Sequence, residues 1–177
     1  MTIKKLLVAL DGSDHAAKAL AMAIDLARTA KAGLTILNVV SDKPLTRSEI
    51  QLACTEFRSD VDQVLSVPHV VGEAVPATTL DALGEASQAV GMRVREAIGQ
   101  RLVQTGAAEA GRKGVPNAST RVELGDPVAA ILSTASEEKP DLIVMGTRGL
   151  GNVAGLLLGS VSHKIVQLAS CSVMTVK

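Results

Sequence analysis

The chain has no Trp and no Tyr, and Phe57 is its single aromatic side chain of the Phe, Trp and Tyr types. Modules that bind RNA or single-stranded DNA stack bases on several aromatic side chains. An excess of positive charge is missing too, because 18 basic residues balance 18 acidic ones. We therefore expect no nucleic-acid partner.

Long apolar segments are also missing. No run approaches the roughly 20 residues that a membrane-spanning helix needs. The short apolar run that follows Lys5 is interrupted at Asp11, which is too early for a secretory signal peptide. We expect a cytoplasmic protein with no membrane partner.

Spacings typical of metal or disulfide sites do not occur. Cys54 and Cys171 lie far apart, and His15, His69 and His163 are isolated in the sequence. This is neither a zinc pattern nor a disulfide framework. We expect no metal site belonging to the protein itself.

What the sequence does have is a regular alternation of apolar runs and amphipathic segments. Its 177 residues, 47% of them hydrophobic, suit one domain with an aliphatic core. Alternation of strands and helices is typical of a doubly wound α/β fold with a parallel sheet and helices on both faces. The five predicted strands are Leu6–Leu10, Leu34–Val40, Ala118–Leu124, Asp141–Met145 and Ser172–Val176.

Capping residues mark the predicted helices. Ser13 follows the first strand and is a typical N-cap, and the helix after it should stop near Gly33 with Lys31 in its last turn. Asp126 and Pro127 form a second start signal, with the acid as the cap and the proline in the first turn. A last helix is predicted from Leu157 to Ala169.

The middle of the chain is less regular. Apolar spacing predicts an amphipathic helix over 50–64, a loop over 66–78 and a longer helix from Leu80, with a break near Gly91. Three glycines, Gly106, Gly111 and Gly114, should end that helix. No composition shift requires a second domain. We predict a single domain over 1–177 with an enlarged helical insertion around 41–90.

The segment from Gly146 to Ser162, GTRGLGNVAGLLLGSVS, has the features of an anion-binding loop. Glycines let backbone amides approach an anion closely, and a helix start adds unpaired amides and partial positive charge. Neither the Walker loop nor the GxGxxG dinucleotide fingerprint is matched. From the residues alone, a phosphate-binding loop and a flexible connection without a ligand both remain open.

This segment resembles the nucleotide-binding branch of the universal stress protein family, which carries Gly-x2-Gly-x9-Gly-Ser/Thr. Gly146, Gly149, Gly159 and Ser160 stand at these spacings. The segments VALDGS, GDP, DLIVMGTRG and GSVSHKIV also look like family segments. The resemblance covers about 2–40 and 118–177, and it implies a five-stranded sheet in the order 3-2-1-4-5 that binds an adenine nucleotide.

The resemblance also implies which residues meet the nucleotide. Asp11 would contact ribose, the backbone at Val39 would meet adenine, and the glycine motif would cradle ribose and phosphates. Asp11 also suits a helix-capping or turn carboxylate, and Arg148 is either a phosphate contact or a solvated charge. The implied set is Leu10, Asp11, Val39, Met145, Gly146, Arg148, Gly149, Gly159, Ser160, Val161 and Ser162.

The function implied is that of a stress-response regulatory protein that binds ATP, or AMP or ADP, with Mg²⁺ near Asp11. It would act as a homodimer paired through Val173 to Val176, with an unknown protein as a further partner. A slow ATP hydrolase or phosphotransferase, and a dimeric interaction protein with an unused pocket, remain alternatives. Two departures from the family pattern are Cys171-Ser172, where Cys-Pro is frequent, and the longer region around 41–90.

Overall fold

The structure is a computed structural model that describes residues 2–41, 80–150 and 158–177, with the backbone alone over 80–90. The predicted helix over 50–64 and the loop over 66–78 lie outside the described residues, as does most of the predicted insertion. The described elements are numbered here in chain order: β1 Lys5–Leu10, α1 Asp14–Ala30, β2 Gly33–Val40, α2 Leu80–Arg112, β3 Ser119–Leu124, α3 Pro127–Glu138, β4 Leu142–Gly146, α4 Ser160–Leu168 and β5 Ser172–Val176.

The five strands form one parallel sheet in the order β3-β2-β1-β4-β5, as the resemblance implied. β1 lies at the centre, where Leu6 pairs with Leu34 of β2 and with Leu142 of β4. The chain winds from β1 towards β3 and then crosses back to β4 on the other side of β1. β1 and β4 are neighbours in the sheet, but the chain leaves them towards opposite faces, and this opens a crevice at the carboxyl ends of the two strands.

Side chains of β1 alternate between two apolar layers, as the period of a strand requires. Leu6 and Val8 pack with α1 and α2 on one face of the sheet, in a cluster that includes Leu20 and Val103. Leu7 packs on the other face, in the cluster that holds buried residues of α3 and α4. A continuous apolar run therefore forms a strand covered on both sides.

The predicted caps of α1 and α3 are confirmed. The Ser13 side chain accepts a hydrogen bond from the amide of Ala16, and Asp126 accepts from the amides of Val128 and Ala129. α1 ends at Ala30, slightly before the predicted stop. Lys31 is the C-cap in a left-handed conformation at φ 53°, so it follows the last turn and is not part of it.

The predicted break of the long helix near Gly91 is wrong, because α2 runs without interruption from Leu80 to Arg112. Gly106 does not end the helix either. A Cβ atom at Gly106 would lie 3.2 Å from Leu20 Cδ2 and 3.4 Å from Ile36 Cδ1, so the missing side chain lets α2 approach α1 and β2. Packing of this kind outweighs the loss of about 1 kcal/mol that glycine costs inside a helix. Gly114, at φ +92°, follows the true end.

Candidate nucleotide-binding site

A cavity of about 400 Å³ lies at the carboxyl ends of β1, β2 and β4. The turn after β1 leads into α1 on one face of the sheet, and the chain after β4 leads into α4 on the opposite face. The cavity therefore occupies the point where the winding reverses, which is where ligands bind in open α/β sheets.

All of the site residues predicted from the sequence line this cavity. They come from four separate segments: the end of β1, the end of β2, the end of β4 with the residues after it, and the start of α4. The lining residues are Leu10, Asp11, Val39, Met145, Gly146, Arg148, Gly149, Gly159, Ser160, Val161 and Ser162. The fold thus brings the whole predicted set to one place.

Asp11 fixes the turn between β1 and α1. Its Oδ1 atom accepts hydrogen bonds from the amide of Ser13 at 3.0 Å and from the Ser13 hydroxyl at 2.7 Å. Gly12 between them has φ 84°, a value that glycine adopts without steric cost. Asp11 therefore is a turn carboxylate, and it lines the cavity at the same time.

The second carboxylate oxygen of Asp11 reaches the other half of the site. Oδ2 accepts a hydrogen bond from the amide of Leu150 at 3.2 Å. A Cβ atom at Gly149 would overlap this same oxygen. Gly149 permits this contact, because a Cβ atom there would displace the carboxylate from its position beside the Leu150 amide.

Gly146 is the last residue of β4 and touches the start of α1. A Cβ atom there would lie 2.9 Å from the carbonyl carbon and the Cβ of His15, and 3.0 Å from the amide nitrogen of Ala16. Two of these atoms belong to the backbone and cannot move aside cheaply. This glycine therefore allows the close contact between the turn after β1 and the end of β4.

The start of α4 is tied to the end of β4 by two hydrogen bonds. The Ser162 hydroxyl donates to the carbonyl oxygen of Gly146 at 2.8 Å in a buried position, and the Gly159 amide donates to the carbonyl oxygen of Thr147 at 2.7 Å. The proton of the Ser162 hydroxyl is thus committed to the protein backbone. Ser162 holds the glycine motif in shape, and a phosphate would meet other donors first.

Those other donors lie in the first turn of α4. Its N-cap is Gly159, which brings no side-chain oxygen to cap the helix, and Ser160 is exposed at the first position. The leading amides of a helix carry partial positive charge and attract anions. Arg148, half-buried, lines the same cavity and adds a full positive charge. This end of the cavity is suited to phosphate groups.

The opposite wall of the cavity comes from α2 and from the end of β2, and of this wall the sequence analysis predicted Val39 alone. Arg95, Ile98, Gly99 and Leu102 line the cavity, with Asn38, Val40 and Ser41 beside them. The sequence did contain an indication of this wall. Arg95 lies three residues before Ile98 and seven before Leu102, so it takes a position that the apolar spacing of the helix would give to a hydrophobic residue. A cation at a stripe position is an exception to amphipathic patterning, and such exceptions often mark a site.

Asn38 joins this wall to β1. Its side-chain amide donates to the carbonyl oxygen of Leu10 at 2.8 Å, and the residue is buried. A Cβ atom at Gly99 would overlap the Asn38 side chain and would lie 3.3 Å from Val40 Cγ2. Gly99 therefore lets α2 close against the end of β2.

Within residues 2–41, 80–150 and 158–177, no three His, Cys, Asp or Glu side chains gather into a group that could hold a metal ion. Over the same residues, none of the helices is both long and apolar enough to cross a membrane.

Comparison with known sequences identifies close relatives. The model of the universal stress protein family matches residues 2–177. The chain is 34% identical over 173 residues to the universal stress protein YxiE of Bacillus subtilis, covering 98% of both proteins. It is also 34% identical over 177 residues to a universal stress protein of Thermus aquaticus, again covering 98% of each.

Comparison with solved structures shows the same fold. The universal stress protein UspA from Lactobacillus plantarum superimposes with a TM-score of 0.72 at 21% identity, covering 100% of this chain and 99% of that one. A universal stress protein in complex with cAMP gives 0.62 at 22% identity and covers 99% and 98%. A family protein from Arabidopsis thaliana with AMP bound gives 0.58 at 19% identity and covers 98% and 91%.

Proposed function

The chain belongs to the universal stress protein family, and we propose that it is a regulatory protein that binds an adenine nucleotide in the cavity at the carboxyl edge of its sheet. ATP is the proposed ligand, with ADP or AMP as alternatives. Two structural neighbours that carry cAMP and AMP support the choice of an adenine nucleotide.

The observation that carries the proposal is the meeting of the glycine motif with Asp11 across the switch point of the sheet. Asp11 Oδ2 and the Leu150 amide are joined directly, and Gly149 is the residue that permits this contact. A flexible connection without a ligand would need no such fit. This close approach places the Asp11 carboxylate and the backbone of Gly149 and Leu150 together as one polar wall of the cavity.

We assign the parts of the nucleotide by the chemistry of the walls. Phosphates would lie at the start of α4, against the amides near Ser160 and the charge of Arg148. Ribose hydroxyls would donate to Asp11, since a carboxylate accepts about four hydrogen bonds and the protein supplies three. The base would lie towards Val39, where the lining is largely apolar.

Magnesium would enter with the phosphates. Mg²⁺ keeps several waters and is usually held by one or two carboxylates together with substrate phosphates. Among the described residues, Asp11 is the carboxylate that lines the cavity, and it would meet such an ion through a water molecule. The ion would neutralise phosphate charge, and binding of ATP should then depend on Mg²⁺.

Turnover is expected to be slow at most. Phosphoryl transfer needs a group that positions the attacking water, and it needs charge neutralisation. Asp11 is held by the amides of Ser13 and Leu150, which favours a binding role over a role as a general base. A slow ATP hydrolase or phosphotransferase is the second candidate. Phosphate release by the parent but not by Asp11→Ala, with ATP binding retained in the variant, would favour it.

We further propose a cytoplasmic homodimer paired through β5. This strand ends the sheet next to β4, and Val173 to Val176 are only half-buried in the single chain. An open apolar edge strand invites association and is usually covered. A dimer by light scattering that becomes a monomer on Met174→Lys would support this pairing, and an unchanged dimer would locate it elsewhere.

The direct test is the identity of any nucleotide that accompanies the purified protein. Denaturation of the protein followed by mass spectrometry of the supernatant should release ATP, ADP or AMP in an amount that approaches one per chain. Protein stripped of nucleotide should rebind ATP. If it carries none and rebinds none, the cavity is unused and a dimeric interaction protein becomes the better account.

A further inference from the structure

A second cavity lies between the end of β3, which is the outermost strand on its side of the sheet, and one side of α3. This β3–α3 cavity has a volume of about 260 Å³ and shares no described lining residue with the cavity at the switch point. We propose that it is a binding site for a primary ammonium group on an apolar stem. This inference does not depend on the proposed nucleotide function.

One side of α3 forms the longer wall of the β3–α3 cavity. Ala130, Thr134 and Glu137 follow one another at intervals of four and three residues, so they share that side of the helix. Glu123 and Leu124, the last two residues of β3, form the facing wall. A helix and a strand therefore frame the cavity, and rigid elements of this kind can hold ligand groups in fixed positions.

Thr134 supplies the observation that points to a ligand. The residue is only 1% exposed and lies in the buried part of α3, close to Ile131 and Ala135. Within the described part of the chain, its hydroxyl has no hydrogen-bond partner, whereas every fully enclosed side-chain oxygen there has one. The hydroxyl is therefore not enclosed, and it opens into the cavity that Thr134 lines.

Two carboxylates in the lining are held in place and still have room for another donor. Arg121 donates to Glu123 Oε1 through Nε at 3.0 Å and through Nη2 at 2.7 Å, and its Nη1 donates to Glu137 Oε2 at 2.9 Å. Among the described residues, no donor reaches Oε2 of Glu123. A carboxylate accepts about four hydrogen bonds, so a ligand can donate to both groups while Arg121 keeps them in position.

The charge of the lining selects the class of ligand. Two cations, Lys5 and Arg121, pair with three acids, Glu123, Glu137 and Glu138, so negative charge is in excess. This excess favours a cation and disfavours phosphate and carboxylate ligands. A metal ion is not suited, because over the described residues no three acidic, His or Cys side chains gather closely enough to hold one.

A primary ammonium matches the groups that remain. It has three N–H donors, which can meet the Thr134 hydroxyl and the carboxylates of Glu123 and Glu137. Leu124 is 62% exposed beside these groups, and with Ala130 it offers an apolar contact to an alkyl stem. The same chemistry belongs to a small free amine and to a lysine side chain of another protein.

The test is an NMR titration of the ¹⁵N-labelled protein with n-pentylammonium, which follows the backbone amides of Ala130, Ser133 and Thr134. We expect saturable shifts with a Kd on the order of 1 mM, a reasonable affinity for a ligand of about six heavy atoms. 1-Pentanol lacks the charge, and pentyltrimethylammonium lacks the N–H donors. Each should bind roughly 10-fold more weakly, the factor for a lost hydrogen bond to a charged group. Absence of saturable shifts, or equal binding of all three compounds, overturns the inference.

Thr134→Val distinguishes a ligand contact from a structural role. Valine has nearly the shape of threonine and lacks the hydroxyl, so the affinity for n-pentylammonium should fall roughly 10-fold. The urea midpoint should not fall, because no internal hydrogen bond is lost. Thr29→Val is the matched control, since it removes an exposed hydroxyl that donates to the Asp25 carbonyl at 2.8 Å on α1, and it should leave the affinity unchanged. A less stable Thr134→Val protein with unaltered affinity would show a structural hydroxyl and overturn the inference.

Two further ligands identify the source of the ammonium group. Cadaverine represents a free amine, and lysine with an acetylated amino group and an amidated carboxyl group represents a lysine side chain within a protein. Tighter binding of cadaverine supports a small-molecule ligand, and tighter binding of the blocked lysine supports a partner protein. Both results support the site, whereas binding of neither compound overturns it. ATP affinity is measured separately, so a failure here leaves the proposed nucleotide function intact.

Discussion

The carboxylate of Asp11 accepts a hydrogen bond from the amide of Leu150, 139 residues further along the chain, at 3.2 Å. The bond joins the turn after β1 to the chain after β4, across the point where the sheet reverses its winding. The Ser13 hydroxyl, which reaches the carbonyl oxygen of Arg148 at 3.3 Å, adds a second link between the same two segments.

Asp11→Asn should weaken both this link and nucleotide binding. An amide can still accept from Ser13 through its oxygen, but its NH₂ group would then face the Leu150 amide, donor against donor. We expect a loss of about 1–2 kcal/mol in the free energy of unfolding and a roughly 10- to 100-fold weaker affinity for ATP. Urea unfolding and calorimetric titration measure the two effects.

Asp14→Asn is the matched control, because it removes the same charge from an exposed position three residues away. It should leave ATP affinity nearly unchanged and cost well under 1 kcal/mol, the usual value for an acid in the first turn of a helix. Equal effects of the two variants would mean that charge alone, and not the link to Leu150, explains the result.

Gly146→Ala should destabilise the protein. The new Cβ would lie 2.9 Å from His15 atoms and 3.0 Å from the backbone nitrogen of Ala16, so β4 and α1 must separate. Overpacking of this kind costs about 1–3 kcal/mol. Gly111→Ala is the control, since its Cβ meets no atom within 4 Å and lies on α2. It should stabilise the protein by up to about 1 kcal/mol. The denaturant concentration at the unfolding midpoint should therefore fall in Gly146→Ala and rise in Gly111→Ala, relative to the parent.

Ser162→Ala tests whether the glycine motif depends on an internal hydrogen bond. The change leaves the buried carbonyl of Gly146 without the Ser162 hydroxyl that donates to it at 2.8 Å. A buried acceptor that loses its partner costs about 1–3 kcal/mol. Ser133→Ala removes an exposed hydroxyl that donates to Glu137 at 3.4 Å and should stay within about 0.5 kcal/mol of the parent. Similar losses in both variants would contradict this role for Ser162.

A polar cluster at the opposite edge of the sheet makes stability depend on pH. Glu138, at the end of α3, accepts from Thr35 Oγ1 at 2.7 Å and Lys5 Nζ at 3.0 Å, and it meets Arg121 at 3.4 Å. Partial burial alone would raise the pKa of Glu138, but the bonds from Thr35, Lys5 and Arg121 outweigh it and hold the pKa below its usual range.

Because the folded pKa of Glu138 is depressed, its contribution to stability is complete above the unfolded pKa of about 4.3 and is lost as pH falls through the folded value. Glu138→Gln should therefore be less stable than the parent by about 1 kcal/mol at pH 7. The difference should shrink when urea unfolding is repeated below about pH 4. A gap of constant size at all pH values would contradict the ionic origin. The exposed Glu96→Gln serves as the control.

Much of the fold could be predicted because its signals are local. Ser13 and Asp126 cap helices by reaching backbone amides two or three residues away, and the apolar run of β1 is continuous within six residues. The glycines of α2 misled the prediction because their role is not local. Gly106 serves the contact with Leu20 and Ile36, which only the folded chain brings together.

The candidate site also has one part that local sequence signals predict and another part that depends on contacts between distant residues. The motif from Gly146 to Ser162 is nearly contiguous, so its spacing could be read directly. For the wall made by Arg95 and Asn38, the apolar spacing marks Arg95 as an exception, but the residues that Arg95 and Asn38 contact could not be predicted. Their partners, Ser41 and Leu10, lie 54 and 28 residues away. Only the crossing of α2 over the end of β2 reveals that they share a cavity.

Titration of ATP with Mg²⁺ into nucleotide-free protein, beside Gly159→Glu and Gly111→Glu, tests the central claim most directly. Gly159 begins α4 where phosphates are proposed to lie, and an added carboxylate there would repel them. Gly111 is exposed at the end of α2 and accepts the same charge in open space. The account predicts that the parent and Gly111→Glu bind ATP and that Gly159→Glu does not. Equal binding by all three proteins, or binding by none, would contradict it.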